Sequence, residues 1–404
     1  MDRIYLDHNA TTPLDPRVYE AMAPALRATY GNPSSAHWFG QQARAAIDEA
    51  REQVARLLGA APAEIVFTAS GTESDNMALR GAVTAAKAPR RKVVVTAIEH
   101  HAVLHVAQAL GREGWPVETV RALPGGVVDM DDLRAKVDAE TALLSVMLAN
   151  NETGVIQPVA EATAWAHERG ALVHCDAVQA AGKIPVDAAS LGVDLLTVSA
   201  HKLYGPKGVG AIYVKRGTPL RAFVQGGSQE RNRRAGTENV AGIVGMGVAA
   251  RLAREDLAED ASRLSALRDR LEARLLALPG ARRNGDGPRV PNTSNLTFAG
   301  VDAHSLLLAL DLMGIAVSTG AACSAGGAEL SHVLRAMGLS VEDVQASLRF
   351  SVGRPTTEAE TERAAAAVAL CIEQQKQAFG TGSEPGAAAG EASPSPLTSR
   401  GRGR

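Results

Sequence analysis

The sequence predicts an α/β fold built around a mainly parallel β-sheet. Short apolar segments alternate with segments of about 10–15 residues that have helical periodicity, which is typical of βαβ units. The apolar segments, such as the three valines at residues 93–95, are apolar at every position. That pattern indicates strands that are buried on both faces, as in a parallel sheet covered by helices.

The predicted elements follow in chain order. Strands are predicted at residues 4–6, 65–68, 93–95, 143–148, 171–174, 195–199 and 211–214, the last as a hairpin-like return. Helices are predicted over residues 16–60 with an interruption at Pro33, and over 73–86, 101–113, 159–169 and 239–278. Residues 292–378 combine strands at 294–298, 316–318 and 347–351 with helices, which indicates a second compact α/β unit. From Gly380 onward the composition is rich in Gly, Ser, Pro, Ala and Glu, which predicts a disordered tail.

Composition narrows the class of protein. The 404 residues are 46% hydrophobic and 21% charged, with a formal net charge of −2, which suits a globular protein and not a nucleic-acid binder. The three cysteines, Cys175, Cys323 and Cys371, are widely spaced, which argues against a disulfide framework or a structural zinc site. The N-terminal residues have no apolar signal-like segment, and no run of about 18 apolar residues exists. We therefore expect a cytoplasmic protein that binds neither membranes nor nucleic acid directly.

Lys202 lies in the segment Ser199-Ala200-His201-Lys202-Leu203-Tyr204-Gly205, directly after a predicted buried strand. A lysine in a partly desolvated position has a lowered pKa and can form a Schiff base. The alternative is a surface lysine in a basic loop.

Two further strand ends suggest groups that would hold a cofactor. Asp176 follows the strand at 171–174 and could pair with a pyridine nitrogen, or it could cap the next helix. Gly71 and Thr72 join a strand to a helix, where free N–H groups suit a phosphate. Alternatively, Thr72 could cap that helix, with Asp75 completing a capping box.

Two other residues suggest chemistry. His100 follows a strand and could stack on a flat cofactor, whereas the adjacent pair His100-His101 could instead bind metal. Cys323 lies among Gly, Ala, Ser and Thr residues, a composition that favours a mobile loop and a reactive thiol. Cys371 lies in an alanine-rich helix and Cys175 follows a strand, so we interpret both as structural.

Taken together, these segments resemble the NifS and IscS cysteine desulfurases of the class V aminotransferase-like group. The resemblance runs from about Tyr5 to about Thr357. It rests on the segments Tyr5-Leu6-Asp7-His8-Asn9-Ala10-Thr11-Thr12-Pro13, Gly31-Asn32-Pro33-Ser34-Ser35, Gly71-Thr72-Glu73-Ser74-Asp75-Asn76, Asn150-Asn151-Glu152-Thr153-Gly154, the Lys202 segment, Arg233-Arg234-Ala235-Gly236-Thr237-Glu238-Asn239, the Cys323 segment and Arg349-Phe350-Ser351.

The resemblance implies a fold type I pyridoxal 5′-phosphate enzyme with a mainly parallel seven-stranded sheet in a large domain and a small C-terminal α/β domain. It implies that the cofactor is held by Gly71, Thr72, Asn151, Asp176, Gln179, Ser199, His201, Lys202 and Thr237. Lys202, His100 and Cys323 would be catalytic, with no metal required. Arg349 and Asn151 would bind the substrate, L-cysteine.

The implied reaction gives L-alanine and a persulfide on Cys323, which passes its sulfur to an acceptor such as an iron–sulfur scaffold protein. Thr237 would reach the cofactor phosphate of a neighbouring subunit, which implies a homodimer. We expect residues 1–15 to pack with the small domain, residues 16–255 to form the large domain, 256–379 the small domain and 380–404 the tail. The alternatives are a selenocysteine lyase or transaminase on the same scaffold, or a non-catalytic scaffold protein.

Overall fold

The computed structural model describes residues 3–320 and 330–380. Within these residues, the chain forms strands that belong to three separate sheets. The strands are β1 (Ile4–Tyr5), β2 (Ile65–Thr68), β3 (Lys92–Thr96), β4 (Val117–Val120), β5 (Thr141–Ser145), β6 (Leu172–Asp176), β7 (Leu195–Ser199), β8 (Gly210–Val214), β9 (Ala281–Arg283), β10 (Thr293–Phe298), β11 (Ile315–Ala316) and β12 (Ser347–Ser351).

The helices cover both faces of the largest sheet and pack on the smaller ones. They are α1 (Pro16–Arg27), α2 (Trp38–Leu57), α3 (Gly71–Ala85), α4 (His101–Arg112), α5 (Met130–Lys136), α6 (Val159–Glu168), α7 (Ala188–Leu191), the irregular turn α8 (Gln229–Asn232), α9 (Val240–Glu255), α10 (Leu257–Leu276), α11 (Ala303–Leu312), α12 (His332–Ala336), α13 (Val341–Gln345) and α14 (Glu358–Gly380).

The largest sheet has seven strands in the order β2-β8-β7-β6-β5-β3-β4. The strands from β4 to β7 pair in parallel, and β8 runs antiparallel to both of its neighbours. This confirms the predicted mainly parallel sheet and the hairpin-like return after β7. Because the parallel strands end at one edge, the turns that follow them meet there.

Some elements differ from the prediction. The edge strand β4 and the short strand β9 were not predicted, and β5 ends at Ser145. The predicted helix over 239–278 is two helices, α9 and α10, which meet at Asp256. The Asp256 carboxylate lies 3.3 Å from Arg17 and 3.7 Å from Arg354. These partners are distant in sequence, so helical periodicity alone does not reveal the bend.

A second hydrophobic core lies beside the sheet. It contains apolar side chains from β10, β12, α10, α11 and α14, together with Ile4 and Leu6 of the N-terminal segment. Strand β1 pairs in parallel with β11, with Ile4 opposite Ile315. The packing of residues 1–15 with a small domain stays our prediction. The division into a large and a small domain at residues 255 and 256 stays our prediction.

The last described element is helix α14, which the predicted tail follows in the chain. Helix α14 continues to Gly380, and the predicted tail beyond it, residues 381–404, lies outside the described residues. Across residues 3–320 and 330–380, no helix has both the length and the apolarity of a membrane span.

Candidate active site

A cavity of about 600 Å³ lies at the carboxyl edge of the seven-stranded sheet. Its wall combines the turns after the parallel strands, the segment after β1, and residues around β11 and β12. The following residues with sequence-predicted roles line it: Gly71, Thr72, His100, Asn151, Asp176, Gln179, Ser199, His201, Lys202 and Arg349. The fold therefore brings together groups that are up to 278 positions apart in the chain.

Helix α3 begins at the cavity with Gly71. Its N-cap is Ser70, whose hydroxyl accepts from the Glu73 N–H at 3.1 Å. The alternative of a capping box formed by Thr72 and Asp75 is therefore wrong, because Ser70 already has the extended backbone and the hydroxyl that a cap requires. Helix geometry leaves the N–H groups of Gly71 and Thr72 without an acceptor inside the helix. Their position at the cavity suits an anion.

Gly71 packs closely against Val178 and Ser199 at this helix start. A Cβ atom on Gly71 would lie 3.1 Å from Val178 Cγ2 and 3.5 Å from Ser199 Cβ, so a larger residue would crowd this wall. The Ser199 hydroxyl is buried and has no hydrogen-bond partner among the residues that the structure describes. A buried hydroxyl without a partner is costly unless a ligand supplies one.

Asp176 is the last residue of β6 and is 5% exposed. Its Oδ1 accepts from the backbone N–H of Val178 at 2.9 Å and so fixes a turn. The alternative that it caps the next helix is wrong, since α7 has Asp187 as its N-cap. Burial, with a contribution from Asp75, raises the pKa of Asp176 to about 7.

Lys202 follows β7 in a short helical turn. Its Nζ donates to the backbone carbonyls of Asn9 at 2.5 Å and Ala10 at 2.7 Å. Burial, and then the positive charge of Arg349, lower the pKa of Lys202 to about 8. The alternative of a surface lysine in a basic loop does not fit this half-buried position on the cavity wall.

His100 and His201 are uncharged imidazoles at neutral pH. His100 is the N-cap of α4, and its Nδ1 accepts from the Ala102 N–H at 3.1 Å. Its ring surface is open to the cavity, yet the surrounding protein desolvates it and, together with Lys202, lowers its pKa to about 4. Burial likewise lowers the pKa of His201 to about 4, and its Nδ1 lies 3.1 Å from Thr11 Oγ1.

The alternative of metal binding by His100 and His101 finds no support in the described part of the chain. No group of three or more His, Cys, Asp or Glu side chains comes together there in an arrangement that could hold a metal ion. His101 instead turns toward α12, where its Nε2 lies 3.0 Å from His332 Nδ1.

Arg349 and Gln179 line the cavity from two different elements. Arg349 lies on β12, and Gln179 lies in the turn after β6. The Arg349 guanidinium donates to the Asn151 carbonyl at 2.9 Å and to Asp7 Oδ1 at 2.7 Å. The Gln179 amide donates to the Asn9 carbonyl at 2.9 Å. Thus both side chains have fixed orientations at the cavity.

Asp7, Asn9 and Lys183 have no role predicted from the sequence. Asp7 and Asn9 line the cavity, and Lys183 contacts Asn9 and Gln179 from behind. The available signal was the position of Asp7 and Asn9 directly after a short strand, in a segment already noted for its resemblance. Lys183 had no comparable local signal.

Two predicted site residues are not in this wall. Thr237 is exposed and lies beside a separate small pocket with Glu230 and Arg234. Cys323 lies outside the described residues, between Gly320 on the cavity wall and Leu330. The other two cysteines, Cys175 and Cys371, are buried, and burial raises the pKa of both thiols.

Comparison with known proteins places this architecture in a family. Residues 4–363 match the model of the family described as aminotransferase class-V. A cysteine desulfurase of Trichormus azollae is 49% identical over 365 residues, covering 90% of this chain and 91% of the relative. The cysteine desulfurase IscS of Dictyoglomus turgidum is 48% identical over 360 residues, covering 88% and 90%.

Solved structures agree with these relatives. A structure described as a NifS-like protein superposes with a TM-score of 0.87 at 39% identity, covering 92% of this chain and all of the other. The chain therefore belongs to the pyridoxal-phosphate-dependent class V aminotransferase family, in the group of the NifS-like and IscS-like cysteine desulfurases.

Proposed function

We propose that this protein is a cysteine desulfurase, which converts L-cysteine to L-alanine and carries the sulfur as a persulfide on Cys323. The observation that carries the proposal is the position of Lys202. A lysine amine with a pKa near 8 lies on one cavity wall with a buried carboxylate, a helix N-terminus and an arginine. Relatives of this chain that are cysteine desulfurases support the same reaction.

The residues of the cavity fit pyridoxal 5′-phosphate. The α3 N-terminus with Gly71 and Thr72 would receive the phosphate. His201 and the Ser199 hydroxyl, which has no partner among the described residues, would add donors. Asp176 would pair with the pyridine nitrogen, whose positive charge would offset the burial that now raises the pKa of this carboxyl.

The remaining cofactor contacts would come from polar and aromatic groups on the same wall. His100 would stack on the ring, while Gln179 and Asn151 would bind its hydroxyl. The bound cofactor would supply an electron sink for charge that develops at the substrate α-carbon.

The chain's own groups would bind and convert the substrate. Arg349 would hold the L-cysteine carboxylate through its planar guanidinium. Lys202, whose amine is partly neutral near pH 8, would move the proton at the α-carbon. His100, neutral at physiological pH, would accept the thiol proton of the substrate.

Cys323 would complete the sulfur transfer. Its thiolate would attack the substrate Sγ, so that an S–S bond forms and the Cβ–Sγ bond breaks. The electron pair of the broken bond stays with the substrate, and protonation of Cβ, together with return of a proton to the α-carbon by Lys202, yields L-alanine. The sulfur would then pass to an acceptor protein, such as an iron–sulfur scaffold, in the reducing environment of the cytosol.

We further propose a homodimer in which Thr237 reaches the cofactor phosphate in the partner's site. Thr237 is exposed and away from its own cavity, which agrees with such a role. The adjacent Glu238 pairs at 2.8 Å with Arg44 of α2. The start of α2 exposes Trp38 (64%) and Phe39 (43%), and exposed aromatic residues of this kind are typical of protein interfaces.

Complementation between subunits tests this arrangement. A mixed dimer of a Lys202→Ala chain and a Thr237→Ala chain contains one site with both residues intact. We expect it to desulfurate L-cysteine faster than either homodimer. A double variant Lys202→Ala/Thr237→Ala mixed with the parent is the control. Unshared sites would give the mixed dimer half the activity of the Thr237→Ala homodimer, and any activity at or below that of this homodimer would contradict the shared site.

The reaction itself is tested by measuring alanine and sulfide released from L-cysteine in the presence of a thiol reductant. We expect equal amounts from the parent, loss of both products in Cys323→Ala, and retention of both in Cys371→Ala as the matched control. Pyruvate formation, or transfer of the amino group to a keto acid, would contradict the proposal.

A further inference from the structure

Lys183 is a buried lysine that the reaction described above does not use. It lies in the turn after β6, is 8% exposed, and is absent from the wall of the cavity as far as the described residues define it. Its Nζ donates to Gln179 Oε1 at 2.6 Å and to Asn9 Oδ1 at 3.2 Å. The Lys183 amine therefore lies directly behind Gln179 and Asn9, two residues of the cavity wall.

These contacts determine which way the Gln179 amide points. The two ends of a glutamine amide have the same shape, so neighbours decide which end is the donor. On one side, the Lys183 Nζ requires an oxygen. On the other side, the Asn9 carbonyl lies 2.9 Å from the amide nitrogen and would repel an oxygen placed there. Both neighbours therefore favour the same orientation.

The neighbours of Asn9 determine the orientation of its side-chain amide in the same way. Its Oδ1 accepts from Lys183 and, at 3.0 Å, from Asn292 Nδ2. Its Nδ2 donates to Thr293 Oγ1 at 2.8 Å. The Asn9 backbone carbonyl is then held where it accepts from both Gln179 and Lys202. One buried amine thus orients two wall residues that lie beside the Lys202 amine.

We propose that Lys183 is a positioning residue that holds the Gln179 amide with an N–H group toward the cavity, ready to donate to a ring oxygen of the bound cofactor. This inference rests on the proposed function, because the ring oxygen is that of pyridoxal 5′-phosphate. One N–H of the amide is used by the Asn9 carbonyl, and Gln179 itself lines the cavity, so the second N–H is the one available to a ligand.

The Lys183 amine has enough N–H groups to donate to both of its acceptors, Gln179 Oε1 and Asn9 Oδ1. Burial, together with the charges of Lys202 and Arg349, lowers the pKa of Lys183 well below its ordinary value.

A double-mutant cycle on the purified, cofactor-loaded enzyme tests this role. Lys183→Met, Gln179→Leu and the double variant are compared with the parent in two measurements. The first is the rate at which the cofactor is released into a buffer containing a trapping reagent. The second is the midpoint of the pH titration of the cofactor's near-visible absorbance. Neither measurement depends on turnover.

We expect Lys183→Met to release the cofactor about three- to tenfold faster and to shift the titration midpoint, because the freed amide can rotate. In the Gln179→Leu background, the same change should have no further effect on either quantity. An undiminished effect of Lys183→Met in that background, or no effect in the parent, would overturn the proposal, since Lys183 would then not act through Gln179.

A second variant covers the case in which Lys183→Met does not fold. Gln179→Glu keeps the partner of Lys183 but replaces the donor that faces the cavity with an oxygen. We expect the same direction of change in cofactor release and absorbance, and parent-like values would overturn the proposal. Failure of the proposed function is distinguishable, because it would appear as missing alanine from L-cysteine while these cofactor measurements still respond.

Discussion

Arg349 and Asp7 form an ion pair, with Nη2 and Oδ1 2.7 Å apart, between strand β12 and the segment after β1. The arginine side chain is 5% exposed and that of Asp7 is 20% exposed, so the pair lies at the inner wall of the cavity. Within the described residues, the Arg349 Nε has no hydrogen-bond partner. The contacts with Asp7 and with the Asn151 carbonyl therefore orient the guanidinium in advance at the cavity wall.

Arg349→Lys should weaken the binding of L-cysteine. Lysine keeps the positive charge but loses the planar fork, so we expect the KM for L-cysteine to rise about tenfold or more, with a smaller change in kcat. Steady-state alanine production measures both constants. Arg335→Lys, on the exposed end of α12 and away from the cavity wall, is the control. An unchanged KM in Arg349→Lys would show that another group binds the carboxylate.

The Lys202 amine should give the cofactor-free protein a characteristic pH dependence. Its pKa is lowered to about 8, so the neutral fraction, which alone attacks the cofactor aldehyde, increases as pH rises through 8. We expect the second-order rate of recombination with pyridoxal 5′-phosphate to increase from pH 7 to 9 with a midpoint near 8. Stopped-flow absorbance measures this rate. A midpoint near 10, the ordinary value for lysine, would contradict the role of burial and Arg349.

A buried ion pair supports the segment that leads to Thr237. Arg51 contacts both oxygens of Glu230, at 2.7 and 2.8 Å, and the two side chains are 3% and 2% exposed. Glu230 begins a run of three residues with positive φ (45°, 58° and 62°), a strained conformation for residues with side chains. The ion pair and a 2.9 Å bond from the Phe67 N–H hold this turn in place.

Arg51→Met should therefore destabilise the protein strongly. Removing one partner leaves the Glu230 carboxylate buried without its cation, and we expect the free energy of unfolding to fall by about 3–5 kcal/mol. Urea denaturation followed by tryptophan fluorescence measures the loss. Arg56→Met is the matched control, because Arg56 and Glu52 are exposed and such pairs contribute about 1 kcal/mol or less. Equal losses in the two variants would contradict this account.

Most strands of the large sheet could be predicted because each is a short segment of apolar residues that is buried in the fold. Strand β3 is apolar at residues 93–95, and all five of its residues are buried, so composition and environment agree. Strand β4 is different: its sequence Val-Glu-Thr-Val mixes polar and apolar residues because it is an edge strand and only partly buried. Strand β4 pairs with β3, although helix α4 lies between the two strands in the sequence, and no local pattern indicates that pairing.

The candidate site likewise contains residues that local sequence indicates and residues that only long-range contacts reveal. Residues at the ends of parallel strands, such as Asp176 and Lys202, could be predicted because the carboxyl edge of such a sheet is the usual place for ligands. Asp7 could not be assigned a role in this way, since its contact with Arg349 spans 342 positions. Lys183 reads as an ordinary surface lysine until the fold brings Asn9, 174 positions away, against it.

The three cysteines should differ sharply in reactivity. Cys175 is 0% exposed and Cys371 is 3% exposed, and burial raises the pKa of both thiols, so neither supplies an accessible thiolate near pH 7. The Gly-, Ala- and Ser-rich surroundings of Cys323 predict an accessible thiol. We expect a chromogenic disulfide reagent to modify about one thiol per chain rapidly in the native protein, and the other two only after denaturation.

The Cys323→Ala variant identifies the reactive thiol. It should lose the rapid reaction entirely, while Cys371→Ala should keep it, and both should show two thiols after denaturation. Prior incubation of the parent with L-cysteine and its cofactor should convert the same thiol to a persulfide, which mass spectrometry detects as the addition of one sulfur atom. Rapid modification that persists in Cys323→Ala would mean that a buried cysteine becomes exposed in solution, and the assignment of the sulfur carrier would have to change.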